Sequence, residues 1–248
     1  MIREVYYDEK GEPVALKKGY YSVEKEYNNA GKAVRTFYLD EDGALIDTTD
    51  KYALTVDEYD DEGHLIYETH FDKNGAQVNL PANFVSARWY YDDSNRIVRQ
   101  VFLDSSGNPV NTTLLYAVVI NEFDEDGHDI YGAWYDAAGM QIDKADKVSC
   151  YTKEYLADEE DEDITVVRTR NYDHNGSPVM NSSGYAVIDT FNDQSGKKVG
   201  EAYYDKNLNP VCPTGTAYVR YTIETTEDGG TVTKYYNASG SIVKTEEK

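Results

Sequence analysis

The chain has 248 residues, of which 24 are Tyr against 6 Phe and 2 Trp, with 18 Gly and no long apolar run, a supply of strand and turn formers that excludes a membrane-spanning helix. Its formal net charge of −22 and pI near 4.4 repel phosphate backbones and anionic lipid surfaces, which excludes nucleic acid as a partner and leaves cations, neutral glycans and proteins. Two Cys, Cys150 and Cys212, fall at unrelated places in the pattern described next and build neither a disulfide framework nor a CxxC metal site.

In chain order, an aromatic or apolar residue followed by Asp-x-x-Gly comes first at Asp8 and recurs at Asp40, Asp72, Asp104, Asp136, Asp173 and Asp205, then with Asn at Asn237. The interval is 32 residues except for one of 37, and Leu208 is the single departure from Gly at the fourth position. Three residues after that position comes an apolar anchor, for example Val14, Ile46, Val78 and Val110. Asp at the first position and Gly at the fourth make a type I turn closed by a left-handed residue, the chemistry of a short β-hairpin tip. A second tip lies 20 residues on, at Asn28, Asp60, Asp92 and Asp124. In the fifth copy that turn is replaced by a five-residue acidic insertion within residues 156–163; the sixth copy lengthens it by one residue, and in the seventh it survives only as Glu227-Asp228-Gly229-Gly230.

Residues 32–39 and 64–71, between the two kinds of tip, are long enough for strands of roughly 26 Å, and residues 20–27 and 52–59 are their upstream partners. The rest of each copy, such as residues 15–19 or 111–115, is polar and variable and reads as a connection between hairpins. The expected fold is all-β, with almost no helix. It is a single tandem array over 1–248 of about seven 32-residue β-hairpin repeats and a partial eighth, arranged as an elongated β-solenoid or a twisted antiparallel sheet. The first residues, MIREVYYDEKG, enter a hairpin at once and read as no secretory signal. The compartment stays open: cell surface or extracellular for a fragment of a secreted protein, cytoplasmic for a complete chain.

Residues 58–75, EYDDEGHLIYETHFDKNG, and 122–139, EFDEDGHDIYGAWYDAAG, resemble the YD repeats of the Rhs and teneurin-like class. The 32-residue period and the Gly-x-Pro-Val ending at Pro109 and Pro178, with Leu208 in the Gly place before Pro210, depart from those repeats and look closer to tyrosine-rich tandem repeats of bacterial surface proteins. The resemblance implies a surface-associated repeat region, part of a longer polypeptide, and no catalytic residue.

Each second-strand end carries a doublet: Tyr6-Tyr7, Tyr38-Leu39, His70-Phe71, Phe102-Leu103, Trp134-Tyr135, Asn171-Tyr172, Tyr203-Tyr204, Tyr235-Tyr236. Alternation along a strand sends the two members to opposite faces. The second member, always aromatic or Leu, is expected in the core, leaving Tyr6, Tyr38, Phe102, Trp134, Tyr203 and Tyr235 as an outward ladder for sugar rings or a partner chain, with Trp89 and Tyr90 beside it. The competing expectation is that both faces are covered and both columns are core. The acidic turns are explained by turn formation, and the only candidates for calcium are Asp158, Glu159, Asp161 and Asp163 of the insertion, where a solvated loop is the plainer reading. His64 and His128 share a repeat position with Lys32 and Arg96 and read as solvated polar sites. No nucleophile, base and orienting group come together, so neither an enzyme nor a cofactor is expected. The function expected from sequence is weak, multivalent binding of cell-wall glycan or protein through the aromatic β surface; the alternative is a structural spacer or shell segment with no ligand of its own.

Overall fold

In the computed structural model, which describes residues 1–158 and 161–248, each tip outside the acidic insertion closes by the same pair of backbone bonds. At residues 60–64 the Asp60 amide donates to the His64 carbonyl (3.0 Å) and the Gly63 amide to the Asp60 carbonyl (3.1 Å). The Asp side chain then finishes the turn: Asp60 Oδ1 accepts the amides of Glu62 (3.0 Å) and His64 (2.8 Å), satisfying donors that the turn leaves without a backbone acceptor. Asn237 makes the same two bonds with its Oδ1, to Ser239 and Ser241, both at 3.0 Å, so the position demands an acceptor oxygen rather than a charge. The closing residue sits at positive φ, +88° at Gly63, and a register shift between Glu58 and Tyr59 marks the accompanying bulge.

The same geometry occurs a third time in the first six copies, where the sequence showed only a connection. At residues 48–52 Thr48 donates to the Tyr52 carbonyl (2.8 Å) and Lys51 to the Thr48 carbonyl (2.9 Å). This turn is hidden in the sequence because its left-handed residue is often not Gly: Lys51, Asn83, Leu115 and Lys147 hold φ between 67° and 74°. Successive third turns are also stitched together. Thr49 donates to the Lys18 carbonyl (2.9 Å), Thr113 to Ala82 (2.9 Å), Ser182 to Asp146 (3.0 Å) and Thr214 to Ser183 (2.8 Å). Pro81 occupies the equivalent place, one residue into its turn, and has no N–H to give.

Between turns the chain is strand, and no helix occurs among the described residues. The molecule divides into two compact units, residues 1–120 with 135–140, and residues 121–134 with 141–248. The first contains β1 (Ile2–Val5), β2 (Ser22–Tyr27), β3 (Ala33–Leu39), β4 (Leu54–Tyr59), β5 (Leu65–Phe71), β6 (Ser86–Tyr91), β7 (Ile97–Leu103) and the start of β8 (Val118–Phe123). The second contains most of β9 (Asp129–Tyr135), then β10 (Cys150–Ala157), β11 (Thr165–Tyr172), β12 (Val187–Asn192), β13 (Lys198–Tyr204), β14 (Arg220–Thr225), β15 (Thr231–Tyr236) and β16 (Ile242–Glu247). Within each unit sheet order is chain order and every pairing is antiparallel, so the architecture is the antiparallel sheet of hairpins and not the solenoid. Strand bounds agree with the sequence expectation to within about two residues.

Each sheet buries its own small side chains where strands run deepest. Ser22, Ser86 and Ser149 are the largest side chains that are completely covered, and Ala53, Ala117 and Ala186 are wholly inaccessible. Val101, Leu103, Ala117 and Val118, with Tyr67, Ile120 and Tyr135 packed on them, form the apolar cluster of the first unit. In the second unit the same face carries an ion pair instead: Arg168 donates Nε and Nη2 to the two oxygens of buried Asp189 at 2.7 and 2.6 Å.

Leu208 closes its tip at φ +65° and is exposed, paying the left-handed penalty with no packing in return. Leu208→Gly should therefore stabilise the chain by about 1 kcal/mol, read from the denaturant midpoint at unchanged m-value. Arg168→Ala should cost about 3 kcal/mol in the same measurement, because it leaves Asp189 buried without its partner.

Candidate functional site: the aromatic ladder and the hairpin tips

The first members of the doublets do form a ladder, but its rungs are filled from the third turns. Tyr20 and Tyr52, each directly following a left-handed residue, insert between doublet residues to give a run Tyr6–Tyr20–Tyr38–Tyr52–His70 with ring centroids 6.0, 4.9, 5.4 and 4.6 Å apart. Further along the first unit, Phe84, Phe102 and Tyr116 stack at 4.9 and 5.9 Å. In the second unit Trp134 meets Tyr151 at 5.9 Å, and Tyr185, Tyr203, Tyr218 and Tyr235 follow at 5.2, 6.4 and 4.7 Å. These separations and tilts are those of packed aromatic pairs.

The expected split into a buried and an outward column therefore does not hold. Tyr203 is 7% exposed, His70 6% and Asn171 8%, while Tyr6, Tyr38, Phe102, Trp134 and Tyr235 are half-buried. In the supposed core column, Leu39 and Leu103 are buried but Tyr7 is 59% exposed and the remaining rings are half-buried. The reason is the missed turn: the residues it supplies, Tyr20, Tyr52, Phe84, Tyr116, Tyr185 and Tyr218, cover the face left open in a two-turn repeat. Their signal was present, since the first four stand 32 residues apart.

Polar partners complete the covering. Lys144 Nζ lies 3.5 Å from the centre of the Trp134 ring, and Lys18 Nζ bonds the Tyr52 hydroxyl at 3.4 Å while pairing with Asp50 at 3.1 Å. Burial pushes the Tyr38 hydroxyl up to about 12, and the Tyr203 hydroxyl is raised by burial and by donating to Glu201 Oε2 at 2.5 Å. Tyr235 donates to Glu246 at 2.8 Å and is likewise pushed up to about 12, first by that bond.

Trp89 and Tyr90 stand apart from the ladder, at the tip end of β6, cross-strand from Gln100 and Arg99. Tyr90 is 41% exposed, with the Arg99 guanidinium 5.4 Å from its ring centre. With Tyr91, His64, Asp61 and Asp93 they line a cleft of about 450 Å³ between neighbouring tips.

At the tips, the position shared by His64, Arg96 and His128 is a pairing position, not merely a solvated one. His64 Nδ1 lies 3.0 Å from Asp60 Oδ2, Arg96 Nε donates to Asp92 Oδ2 at 2.8 Å, and His128 Nδ1 lies 2.9 Å from Asp124 Oδ2, with its ring on Tyr155 at 4.3 Å. Amide donors, led by those of His64, Ala76 and Arg96, hold the Asp60, Asp72 and Asp92 carboxyls below the usual range. Asp124, Asp126 and His128 bring three donor atoms within 4.8 Å of one another, the arrangement among the described residues best able to hold a metal ion. In the insertion, Asp158 Oδ1 accepts the Asp161 amide, Asp161 Oδ1 accepts the Asp163 amide, both at 3.0 Å, and Asp163 Oδ1 accepts Gln194 Nε2 at 2.5 Å; Glu159 lies outside the described residues. Cys150 is buried and Cys212 exposed, both as free thiols.

Because the ladder is packing, Tyr38→Ala should destabilise the chain by about 3 kcal/mol, whereas Tyr7→Ala should change stability by less than about 0.5 kcal/mol, compared by denaturant unfolding.

No protein-family model matches the chain, and no curated protein matches it. Among solved structures it is similar to a chain of the Photorhabdus luminescens Tc holotoxin pore, at 11% identity and a TM-score of 0.37, with 94% of this chain and 13% of that one covered. It is also similar to a chain of a TcdB2–TccC3 crystal structure, at 12% identity and a TM-score of 0.26, covering 99% of this chain and 15% of that one.

Proposed function

We propose that the chain is a structural, non-catalytic β-sheet segment of a larger YD-repeat-like protein, a spacer or shell wall rather than a ligand-binding module. The observation that supports this most directly is the ring-to-ring packing of the ladder. Tyr20 and Tyr52 pack at steep angles between Tyr6, Tyr38 and His70, and Lys144 lies over the face of Trp134, so the rings that a sugar would stack on are already in contact. The turns point the same way, since their Asp oxygens are spent on the amides of their own turn. No helix among the described residues is long and apolar enough to cross a membrane.

A second reading, weak binding of glycan or protein through aromatic residues, is favoured by one place, the cleft beside Trp89 and exposed Tyr90. The two readings separate in one experiment. Cell-wall fractions and soluble peptidoglycan fragments should neither retain the chain nor shift its Trp fluorescence. Retention that a folded Trp89→Ala, Tyr90→Ala variant loses would replace the structural reading with the binding one; retention lost with Trp134→Ala and Tyr203→Ala would do so through the ladder.

A further inference from the structure

We propose that Asp57 and Glu68 share one proton across the β4–β5 ladder, and that losing it loosens this hairpin as the pH rises towards neutrality. The two residues are direct cross-strand partners, so their carboxyls project side by side from one face of the sheet, and both are half-buried. Asp57 Oδ1 is shielded from solvent and has no hydrogen-bond partner. A carboxyl proton from across the ladder is the donor that oxygen lacks, whereas two carboxylates placed there would repel one another with no cation to offset them.

The side chains that the neighbouring strands present to the pair are neutral. Strand β3 presents Val34 and Thr36 on this face; its one cation, Arg35, lies on the other and bonds Glu26 at 3.2 Å. Strand β6 presents Ala87 and Trp89, and its Arg88 lies on the opposite face over Tyr67. Along β4 the next group is Tyr59, over whose ring Lys32 Nζ sits at 5.9 Å. On β5, His70 Nε2 is 3.5 Å from Glu68 Oε1, but His70 is buried against Tyr52, which lowers its pKa and favours the neutral ring; the Lys18–Asp50 pair lies beyond it. Among the described residues, no Lys or Arg of β3 to β6 shares the face of the two carboxyls.

Burial, and then the charge of Glu68, push the Asp57 carboxyl up to about 6, and burial raises Glu68. Both folded values lie above those of the unfolded chain, near 4, so the folded state binds the proton more tightly. The stability this contributes is complete below about pH 4 and is gone once the pH has risen above about 6. The hairpin tips run the other way, since carboxyls held low by amides lose their contribution as the pH falls.

The test uses the full chain. Carboxyl carbon NMR should show the pair titrating in two coupled steps, the upper one near pH 6. Asp57→Asn, which keeps the shape and removes the charge, should raise Tm by about 2 to 4 °C at pH 7.5 and leave it unchanged at pH 4.5, and Glu68→Gln should behave alike. Titration of both wild-type carboxyls at ordinary values, or a Tm shift of equal size at the two pH values, would overturn the proposal. The wild-type NMR titration decides the matter even if a variant fails to fold.

Discussion

A reversing backbone leaves amides that no strand neighbour can reach, and this chain answers them with a side-chain oxygen. At tips such as those of Asp60 and Asn237 an Asp or Asn two residues before one amide and four before another accepts both, and a residue at positive φ lets the chain turn back on itself. Remove the oxygen and two donors are orphaned; remove the left-handed residue and the hairpin cannot close in register. The strands, the pairing and the ladder all follow from where these turns fall, because a turn fixes which residues face each other and hence which face each side chain takes.

The turns also explain how one sheet layer can be stable without a second layer on top. A sheet normally buries a face against another element. Here the covering is supplied from within the repeat. The third turn delivers an aromatic residue onto the face beside the doublet, small residues such as Ser22 and Ala53 let the backbone be covered at close range, and long polar side chains lie along the rings. On the opposite face, aliphatic contacts in the first unit and the Arg168–Asp189 pair in the second do the equivalent work. Each copy is incomplete by itself, since Tyr52, at the entry to the β4–β5 hairpin, packs on Tyr38 of the β2–β3 hairpin before it.

The strands and two of the three turns were legible in the sequence, because Asp60 and Gly63, or Asp72 and Gly75, carry their conformations in their side-chain chemistry. The third turn was not, since Lys51 and Leu115 adopt the same φ as a glycine without the composition that announces it. That single omission propagated. Without the turn, Tyr20 and Tyr52 read as strand starts, the doublet face read as open, and Tyr203 read as an outward rung when it is 7% exposed. The pairing of His64 with Asp60 was missed for a simpler reason: Lys, Arg and His in one column look like solvent exposure, whereas the Asp four residues back takes His64, Arg96 and His128 as partners. The orphaned oxygen of Asp57 had no sequence signal, because Asp and Glu in alternating strands are ordinary until the register sets them opposite each other.

The bonds between successive third turns form a seam along the rim within each unit, made in the first unit by Thr49 and Thr113. Pro81 drops a stitch. Neighbouring third turns there lack that bond, and the Lys73 amide, donating to Asp47 Oδ1 at 2.7 Å, joins the same two copies outside their strands. A sequence of near-identical parts thus acquires a difference between its junctions from one missing hydrogen atom, at an imino acid that its repeat pattern alone would treat as filler.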